Sequence, residues 1–170
     1  VIQVGGTRLV FFLDAPKLGK GDMFAGYKIL SAPIPSAYGY RFRARQRSLD
    51  REVVLETLAL DYGHKSDIAK RFTEMMTAAS QFDHPNILDI YEVGEEDKIP
   101  FATMPAFEGT TLRRVVRSGD VALADGLKIL VHVADALVHI NNRKKIHGRI
   151  SPSSVLVSDG DYRIKLVGFG

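Results

Sequence analysis

Arginine side chains that could bind an anion alternate along one short stretch of the chain. They are Arg41, Arg43, Arg45 and Arg47. Successive side chains of a β-strand point to opposite faces, so a strand here would place these guanidinium groups on one face. Two interpretations are open: an ordinary solvated strand face, or a stripe that binds phosphate or another anion. We favour the first, because charged side chains are mostly exposed to water.

The remaining composition excludes several kinds of chemistry. The sequence has no cysteine, which excludes a disulfide framework, a thiolate zinc site, an iron–sulfur cluster and a thiol nucleophile. The net charge is +3, and residues 1–50 hold eight Lys or Arg against three Asp or Glu, so the basic excess is local. Only Tyr40 and Phe42 stand between the arginines as aromatic platforms, and we therefore expect no nucleic-acid partner.

The chain carries no long apolar run and no leader pattern. No stretch approaches the roughly 18 apolar residues that cross a bilayer, and the first residues lack a charged start and a cleavage site. We therefore expect no membrane association in this segment and a cytoplasmic location. Because the chain begins at Val1 and ends in a glycine-rich turn, we expect it to be a fragment of a longer protein.

The periodicity of apolar residues predicts an alternation of strands and helices. Strands are predicted over 27–32, 38–46, 52–58, 87–93, 99–104, 154–157 and 162–167. A helix is predicted to begin at Ser66 or Asp67 and to end before Asp83. A longer helix over 121–142 carries apolar residues on two stripes, so we expect burial on most of its circumference.

Three short sequences, in this order and at these separations, indicate a family. Residues 146–157 read Ile-His-Gly-Arg-Ile-Ser-Pro-Ser-Ser-Val-Leu-Val, and residues 164–170 read Ile-Lys-Leu-Val-Gly-Phe-Gly. The first resembles the catalytic loop of protein kinases, and the second resembles the strand that leads into their Asp-Phe-Gly motif. Residues 82–88 are similar to the link between the αC helix and the fourth strand of kinases. Over residues 27–170 the chain resembles the serine/threonine kinases of bacteria.

The resemblance implies an α+β fold with a defined domain organisation. It is the protein-kinase-like fold, in which a five-stranded antiparallel small lobe with its αC helix precedes a mainly α large lobe. The small lobe is expected over 27–104, the hinge over 105–109, and the start of the large lobe over 110–170, ending at the Gly-Phe-Gly motif. Residues 15–26 are expected to be a linker. Residues 1–14 are predicted to form a strand hairpin, similar to the last strands of forkhead-associated domains, from an upstream domain.

At the positions where the resemblance implies catalytic groups, this sequence has other residues. Glu56 stands at the position of the lysine on the third strand, and Met75 at that of the αC glutamate. Arg149 stands at the position of the aspartate that accepts the substrate proton, and Ser151 at the neighbouring lysine. The metal-binding asparagine and aspartate correspond to Ser154 and Gly168. We therefore expect no catalytic residues, no metal site and no enzyme activity, and we interpret His147 as a packed core histidine.

The nucleotide site of the family is expected to be vestigial. Of three expected loop glycines only Gly39 is present, and Glu56 is expected to repel a polyphosphate. Val54 and Met104 could still contact an adenine, and Pro105 and Phe107 could offer it backbone carbonyl and amide groups. We expect no cofactor, with ATP binding without magnesium as the less favoured alternative.

These expectations lead to a hypothesis about function and to an alternative. The favoured hypothesis is a pseudokinase, a catalytically inactive kinase-like domain that regulates or scaffolds phospho-signalling by binding a protein partner or a regulatory domain of its own chain. The alternative is an atypical serine/threonine protein kinase, or a nucleotide-binding domain, that uses non-standard residues. In that case Arg149, Glu56, Ser154 and the arginine stripe would form the phosphate site, with Asp159 or Asp161 as a metal ligand.

Overall fold

The computed structural model describes residues 2–4, 7–9, 18–36, 38–59, 66–119 and 121–169. The chain divides into two compact units. The first unit comprises Val1–Met76 and Tyr91–Ala106, and the second comprises Thr77–Ile90 and Phe107–Gly170. Among the described residues, no helix is both long enough and apolar enough to cross a bilayer.

The N-terminal residues form the predicted hairpin. Strand β1 (Ile2–Val4) pairs antiparallel with β2 (Thr7–Leu9), and Val4 lies opposite Thr7. The similarity of residues 1–14 to a forkhead-associated domain stays a prediction, because a two-stranded hairpin is common to many folds.

The main sheet of the first unit confirms the predicted antiparallel small lobe. Its described strands are β3 (Met23–Phe24), β4 (Tyr27–Ile29), β5 (Ile34–Pro35), β6 (Gly39–Gln46), β7 (Arg51–Leu58), β8 (Glu92–Glu96) and β9 (Ile99–Met104). The order is β3-β4-β6-β7-β9-β8, and β5 pairs with the same edge of β6 as β4 does. The strands β4, β6, β7, β9 and β8 correspond to the five that the family resemblance implies.

One face of this sheet forms the core because apolar residues alternate along its strands. Phe42, Leu55 and Phe101 are buried there. Tyr27, near one edge, contacts Phe101 edge-on, and its hydroxyl donates a hydrogen bond to the carboxylate of Glu92 on the opposite edge strand. The sheet is therefore curled enough for a side chain of β4 to reach the edge strand β8. Burial, followed by the hydrogen bond to Glu92, raises the pKa of Tyr27.

Two segments differ from the sequence predictions. Met23–Phe24, inside the predicted linker 15–26, pairs with Tyr27 and Lys28 across a tight turn at Ala25 and Gly26. The predicted strand over 87–93 is regular only from Glu92. The amide of Leu88 donates instead to the carbonyl of Leu166, and Ile87 and Leu88 are buried within the second unit.

Helix α1 (Ser66–Ala79) lies where the sequence predicts a helix. Its buried residues are Phe72, Met76 and Ala79, which follow the 3.6-residue period of an amphipathic helix. Phe72 packs edge-on against Tyr38, with ring centroids 6.2 Å apart.

The second unit combines a small sheet with two helices. Its described elements are β10 (Gly109–Thr111), α2 (Leu112–Ser118), α3 (Leu123–Asn142), β11 (Val155–Ser158) and β12 (Ile164–Leu166). The strands are antiparallel in the order β10-β11-β12, and α3 packs against β12.

The prediction that the long helix is buried on most of its circumference is wrong for the described residues. Only Ile129, Ala136 and Ile140 of α3 are buried. These three residues lie on one stripe, and at its side Asp135 and His139 contact His84. The second apolar stripe is exposed to solvent.

Candidate functional site

A buried ion pair occupies the position where the resemblance implies a lysine. Glu56 on β7 is 2% exposed, and its Oε2 accepts a hydrogen bond from Nε of Arg41 at 2.8 Å. Arg41 lies directly opposite Glu56 on β6 and is 43% exposed. Arg41 therefore compensates the charge of Glu56 while part of its own side chain is exposed to solvent. The expectation that Glu56 repels a polyphosphate stays a prediction. The cross-strand register of β6 and β7 was the signal that could have revealed this pair.

The same face of the sheet carries the residues expected for a nucleotide base. Val54 lies opposite both Arg43 and Met104 in the adjacent row, and Ala102 lies opposite Glu56 in the row of the ion pair. Val54 is half-buried and Met104 is buried. Arg41 and Glu56 therefore form a charged row across the sheet, and Val54 and Met104 form an apolar row two residues away along β7. Pro105 follows Met104 in this unit, whereas Phe107 belongs to the second unit.

Two other arginines of the stripe, Arg43 and Arg45, form ordinary surface ion pairs. Arg43 pairs with Glu52 at 2.8 Å, and Arg45 pairs with Asp50 and Glu52 at 3.2 and 3.4 Å. These groups are solvated, as the favoured interpretation of the stripe predicts, and exposed pairs contribute little to stability. Hydrogen bonds from Arg43 lower the pKa of Glu52. Arg41 differs from them because its acid is buried.

Gly39 has a structural reason to be glycine. A Cβ atom at this position would lie 2.1 Å from the backbone oxygen of Thr57 and 2.5 Å from the nitrogen of Ala59. The turn before it is closed by Ser36, whose amide donates to the Gly39 carbonyl and whose hydroxyl accepts from the Gly39 amide. Gly39 therefore allows β6 to lie against β7.

Helix α1 offers no carboxylate toward the first unit's core. Glu74 is exposed and lies 3.8 Å from Lys70, one turn earlier in the helix. Met75, expected on the inward face, is only half-buried, and the buried positions are Phe72 and Met76. The helical period places those two residues on one stripe, and position 75 at its border.

In the second unit, His147 and Phe169 belong to a stack of rings. His147 is 3% exposed and stacks on Phe169 with centroids 4.4 Å apart, and Phe169 stacks on Phe82 at 5.4 Å. Burial lowers the pKa of His147, and the backbone of Val167 opposes this shift. Its Nδ1 accepts a hydrogen bond from the amide of Arg149 at 3.3 Å. The prediction that His147 is a packed core histidine is confirmed.

Ser154 and Gly168, which stand at the family's two metal-binding positions, are neighbours in the structure. A Cβ atom at Gly168 would lie 4.0 Å from the Cβ of Ser154, and Gly168 has a φ of +70°. The hydroxyl of Ser154 is engaged with Ser151, accepting from its amide and donating to its carbonyl, both at 2.9 Å. Magnesium prefers several hard oxygen ligands, usually carboxylates. One engaged hydroxyl and a glycine do not fit that ion.

The alternative metal ligands are at the other end of the hairpin. Asp159 and Asp161 lie in the turn between β11 and β12, whereas Ser154 and Gly168 flank its open end. Asp161 accepts hydrogen bonds from the Ser158 hydroxyl and from Arg163, and the bond from Ser158 is the main reason that its pKa is lowered. Asp161 is thus held locally, and no group of three or more acidic or histidine side chains among the described residues is arranged to hold a metal.

Sequence comparison places the chain among protein kinases. Residues 36–170 match the family described as protein tyrosine and serine/threonine kinase. The chain is 35% identical over 145 residues to the serine/threonine-protein kinase PrkC of Bacillus subtilis, covering 85% of this chain and 22% of that protein. It is 29% identical over 159 residues to the serine/threonine-protein kinase PknJ of Mycobacterium tuberculosis, covering 92% and 27%.

Solved structures show the same relationship. The kinase domain of PknI from Mycobacterium tuberculosis superposes with a TM-score of 0.74 at 26% identity, covering 89% of this chain and 62% of that one. The apo form of PpkA-294 has a TM-score of 0.79 at 18% identity, covering 91% and 62%, and supports the fold alone. The chain spans about a quarter of the curated relatives that it matches.

These matches correct one prediction from the sequence. The expectation that the chain is not an enzyme is wrong, because similar proteins such as PrkC and PknJ are serine/threonine-protein kinases by name. Departures at single motif positions carry less weight for family membership than the similarity of the whole segment. The residues from 36 onward match the family as one continuous segment, and the chain belongs to the protein tyrosine and serine/threonine kinase family.

Proposed function

We propose that this chain is the nucleotide-binding part of an atypical serine/threonine-protein kinase that uses non-standard residues. The observation that carries the proposal is the ion pair of Arg41 with buried Glu56. In this arrangement the cation for the nucleotide phosphates comes from β6, and the acid that orients it comes from β7. The proposal rests on the names of similar proteins for the reaction class and on this pair for the site.

The buried carboxylate supports a positioning role for Glu56. A guanidinium that is held at Nε still has its terminal N–H groups available, and their fork geometry matches a phosphate. Arg41 is partly exposed, so its unused donors can reach a ligand without breaking the pair with Glu56. Arg41 would bind the phosphates, and Glu56 would hold the guanidinium in place.

The adjoining apolar row supports a place for the base. Val54 and Met104 lie side by side on β7 and β9, and apolar side chains commonly line one side of a ligand site with a few polar groups that fix orientation. Adenine would contact these two side chains. Because Ser154 and Gly168 do not fit magnesium, we assign no protein-held metal to the site and derive no step from one.

A regulatory, protein-binding role in phospho-signalling is the second candidate. It is favoured by the catalytic-loop segment, where the Ser154 hydroxyl closes a turn with Ser151 and is not directed to a ligand. Such a loop supports a stable surface for a partner or for a regulatory domain of the same protein.

Nucleotide affinity tests the proposal most directly. The full-length protein is titrated with ATP, with and without magnesium, and binding is followed by thermal shift and calorimetry. Wild-type protein is expected to bind ATP, and Arg41→Gln to weaken binding about tenfold, which corresponds to about 1.4 kcal/mol. Arg45→Gln, on the same face of the same strand but outside the proposed base row, is the matched control and should change affinity by less than about twofold.

The experiment needs a control for the buried carboxylate. Arg41→Gln leaves Glu56 without its partner and lowers stability for that reason alone. The double variant Arg41→Gln with Glu56→Gln removes both charges, so it should recover stability but not ATP affinity. Equal affinity of all four proteins, or no binding by the wild type, contradicts the site. Incorporation of labelled phosphate into protein, measured in parallel, decides between a kinase and the regulatory role.

A further inference from the structure

Helix α2 (Leu112–Ser118) is unusual because none of its residues is buried. A surface helix normally buries one apolar stripe, and this burial contributes most of its stability. The backbone of α2 is attached to the loop before β11, where the amide of Arg113 donates to the carbonyl of Pro152 at 2.9 Å. Leu112 and Val115 are half-buried, so packing against the described residues accounts for these two side chains but not for the exposed ones.

Three of the seven residues of α2 are arginines. Arg113, Arg114 and Arg117 are all exposed. Residues three and four apart share a helix face, so Arg117 lies beside both of the others. Nε of Arg113 donates to the hydroxyl of Ser153 at 2.6 Å, which fixes one edge of the group.

The described residues supply no acid for this group. No Asp or Glu among them forms an ion pair with Arg113, Arg114 or Arg117, whereas Arg41, Arg43 and Arg45 of the first unit each have one. Like charges at this helical spacing repel each other and destabilise the helix. An anionic ligand would relieve this repulsion.

We propose that α2 is a docking surface for an acidic segment of a partner protein, one rich in Asp and Glu. Guanidinium groups bind carboxylates through paired hydrogen bonds, and three of them on one helix match several carboxylates in sequence. Val116, 62% exposed, lies three residues after Arg113 and therefore beside it on the helix surface, where it adds an apolar contact. The surface lies within the second unit, and its ligand binding does not depend on the nucleotide site proposed above.

Peptide binding to the full-length protein tests this surface. The probe is a fluorescent glutamate-rich peptide, compared with a version that has glutamine in place of every glutamate. The acidic peptide is expected to bind with micromolar affinity that weakens with salt, because the contacts are exposed and screened. Arg114→Glu with Arg117→Glu should reduce affinity more than about tenfold.

Matched variants separate docking from general charge and from misfolding. Lys20→Glu with Arg71→Glu makes the same change in net charge at exposed cations elsewhere, and should leave affinity within about twofold. Arg114→Lys with Arg117→Lys keeps the positive charge and the helix but removes the planar guanidinium groups that form paired hydrogen bonds. An intermediate loss of peptide affinity is therefore expected.

Several results would overturn the proposal. They are equal binding of the glutamine peptide, an equal loss in the Lys20 and Arg71 variant, and binding that requires a phosphorylated peptide. Sedimentation showing that a second copy of the protein occupies α2 would overturn it too. The proposal would be supported if Arg114→Glu with Arg117→Glu retained the wild-type thermal unfolding temperature and lost affinity for the acidic peptide.

Discussion

At position 56, an acidic residue is stable inside the sheet because its partner is one strand away. Burying an isolated carboxylate costs several kcal/mol, and Glu56 is 2% exposed. The Arg41 guanidinium offsets this cost at 2.8 Å. Considered alone, an acid at position 56 is inconsistent with phosphate binding. Together with Arg41 on the facing strand, it is consistent with phosphate binding.

Gly39 and Gly126 give a matched pair for a prediction about stability. Alanine at Gly39 would place its Cβ 2.1 Å from the backbone oxygen of Thr57, so the backbone must move. Overpacking of this kind is expected to lower the free energy of unfolding by about 2–3 kcal/mol. Gly126→Ala, in α3, has its nearest neighbour at 4.0 Å and should raise it by about 0.5–1 kcal/mol.

Urea denaturation of the two alanine variants checks this difference in sign. A Gly39→Ala protein as stable as the wild type would show that β6 and β7 are farther apart than described. It would also remove the structural explanation for this glycine and favour a role in the phosphate loop.

The elements of the fold follow from the sequence where each strand is independently amphipathic. The alternation of Phe42, Ala44 and the arginines places β6 correctly, and the α1 stripe is visible in the sequence. The segment before Glu92 could not be predicted, because Leu88 is apolar for either a strand or a loop, and its hydrogen bond to Leu166 involves residues far apart in the sequence.

Some features of the candidate site can be predicted from residue identities alone, whereas others depend on how the strands pair. Departures at positions such as 154 and 168 can be seen in the sequence, whereas the pairing of Arg41 with Glu56 depends on strand register. Met75 is expected on the inward face from its alignment with the αC glutamate of the family, whereas its half-buried position depends on how the helix packs.

The stack of His147, Phe169 and Phe82 predicts a dependence of stability on pH. Burial lowers the pKa of His147 below that of a free histidine, which titrates near 6.5. The unfolded chain therefore binds a proton more readily than the folded one. The stabilising contribution is fully present above about pH 6.5 and is lost as the pH falls through the lower pKa of the folded state.

His147→Phe tests this dependence while retaining a ring against Phe169. Urea denaturation at about pH 7.5 and about pH 5.5 should show a smaller loss of stability at the lower pH in the variant than in the wild type. His139, whose pKa is also lowered by burial and by Arg143, leaves part of the dependence in place. An unchanged pH dependence in His147→Phe would contradict the assignment.

On the scale of the whole molecule, α3 presents a stripe of exposed apolar side chains. Leu127 is 55% exposed and Leu130 is 59% exposed, while Ile129 between them is 1% exposed. Large exposed apolar patches usually mark surfaces that contact another segment or partner. The 170-residue chain is therefore expected to bind a hydrophobic dye.

Glutamine substitutions distinguish the two sides of α3. Leu127→Gln with Leu130→Gln should reduce dye fluorescence and change the free energy of unfolding by less than about 0.5 kcal/mol for each site. Ile129→Gln should instead cost about 3 kcal/mol or more, because it places an amide in the core. Similar effects of the two changes, measured by fluorescence and urea denaturation, would contradict the described orientation of the helix.

The hydrogen bond between Tyr27 and Glu92 has a consequence for association between molecules. A strand at the edge of a sheet presents unpaired amides and carbonyls, which can recruit a strand from another chain and begin aggregation. The bond from Tyr27 holds β8 against the curled sheet, and Glu92, Glu95 and Glu96 place negative charges along this edge strand. These charges disfavour the addition of a further strand at that edge.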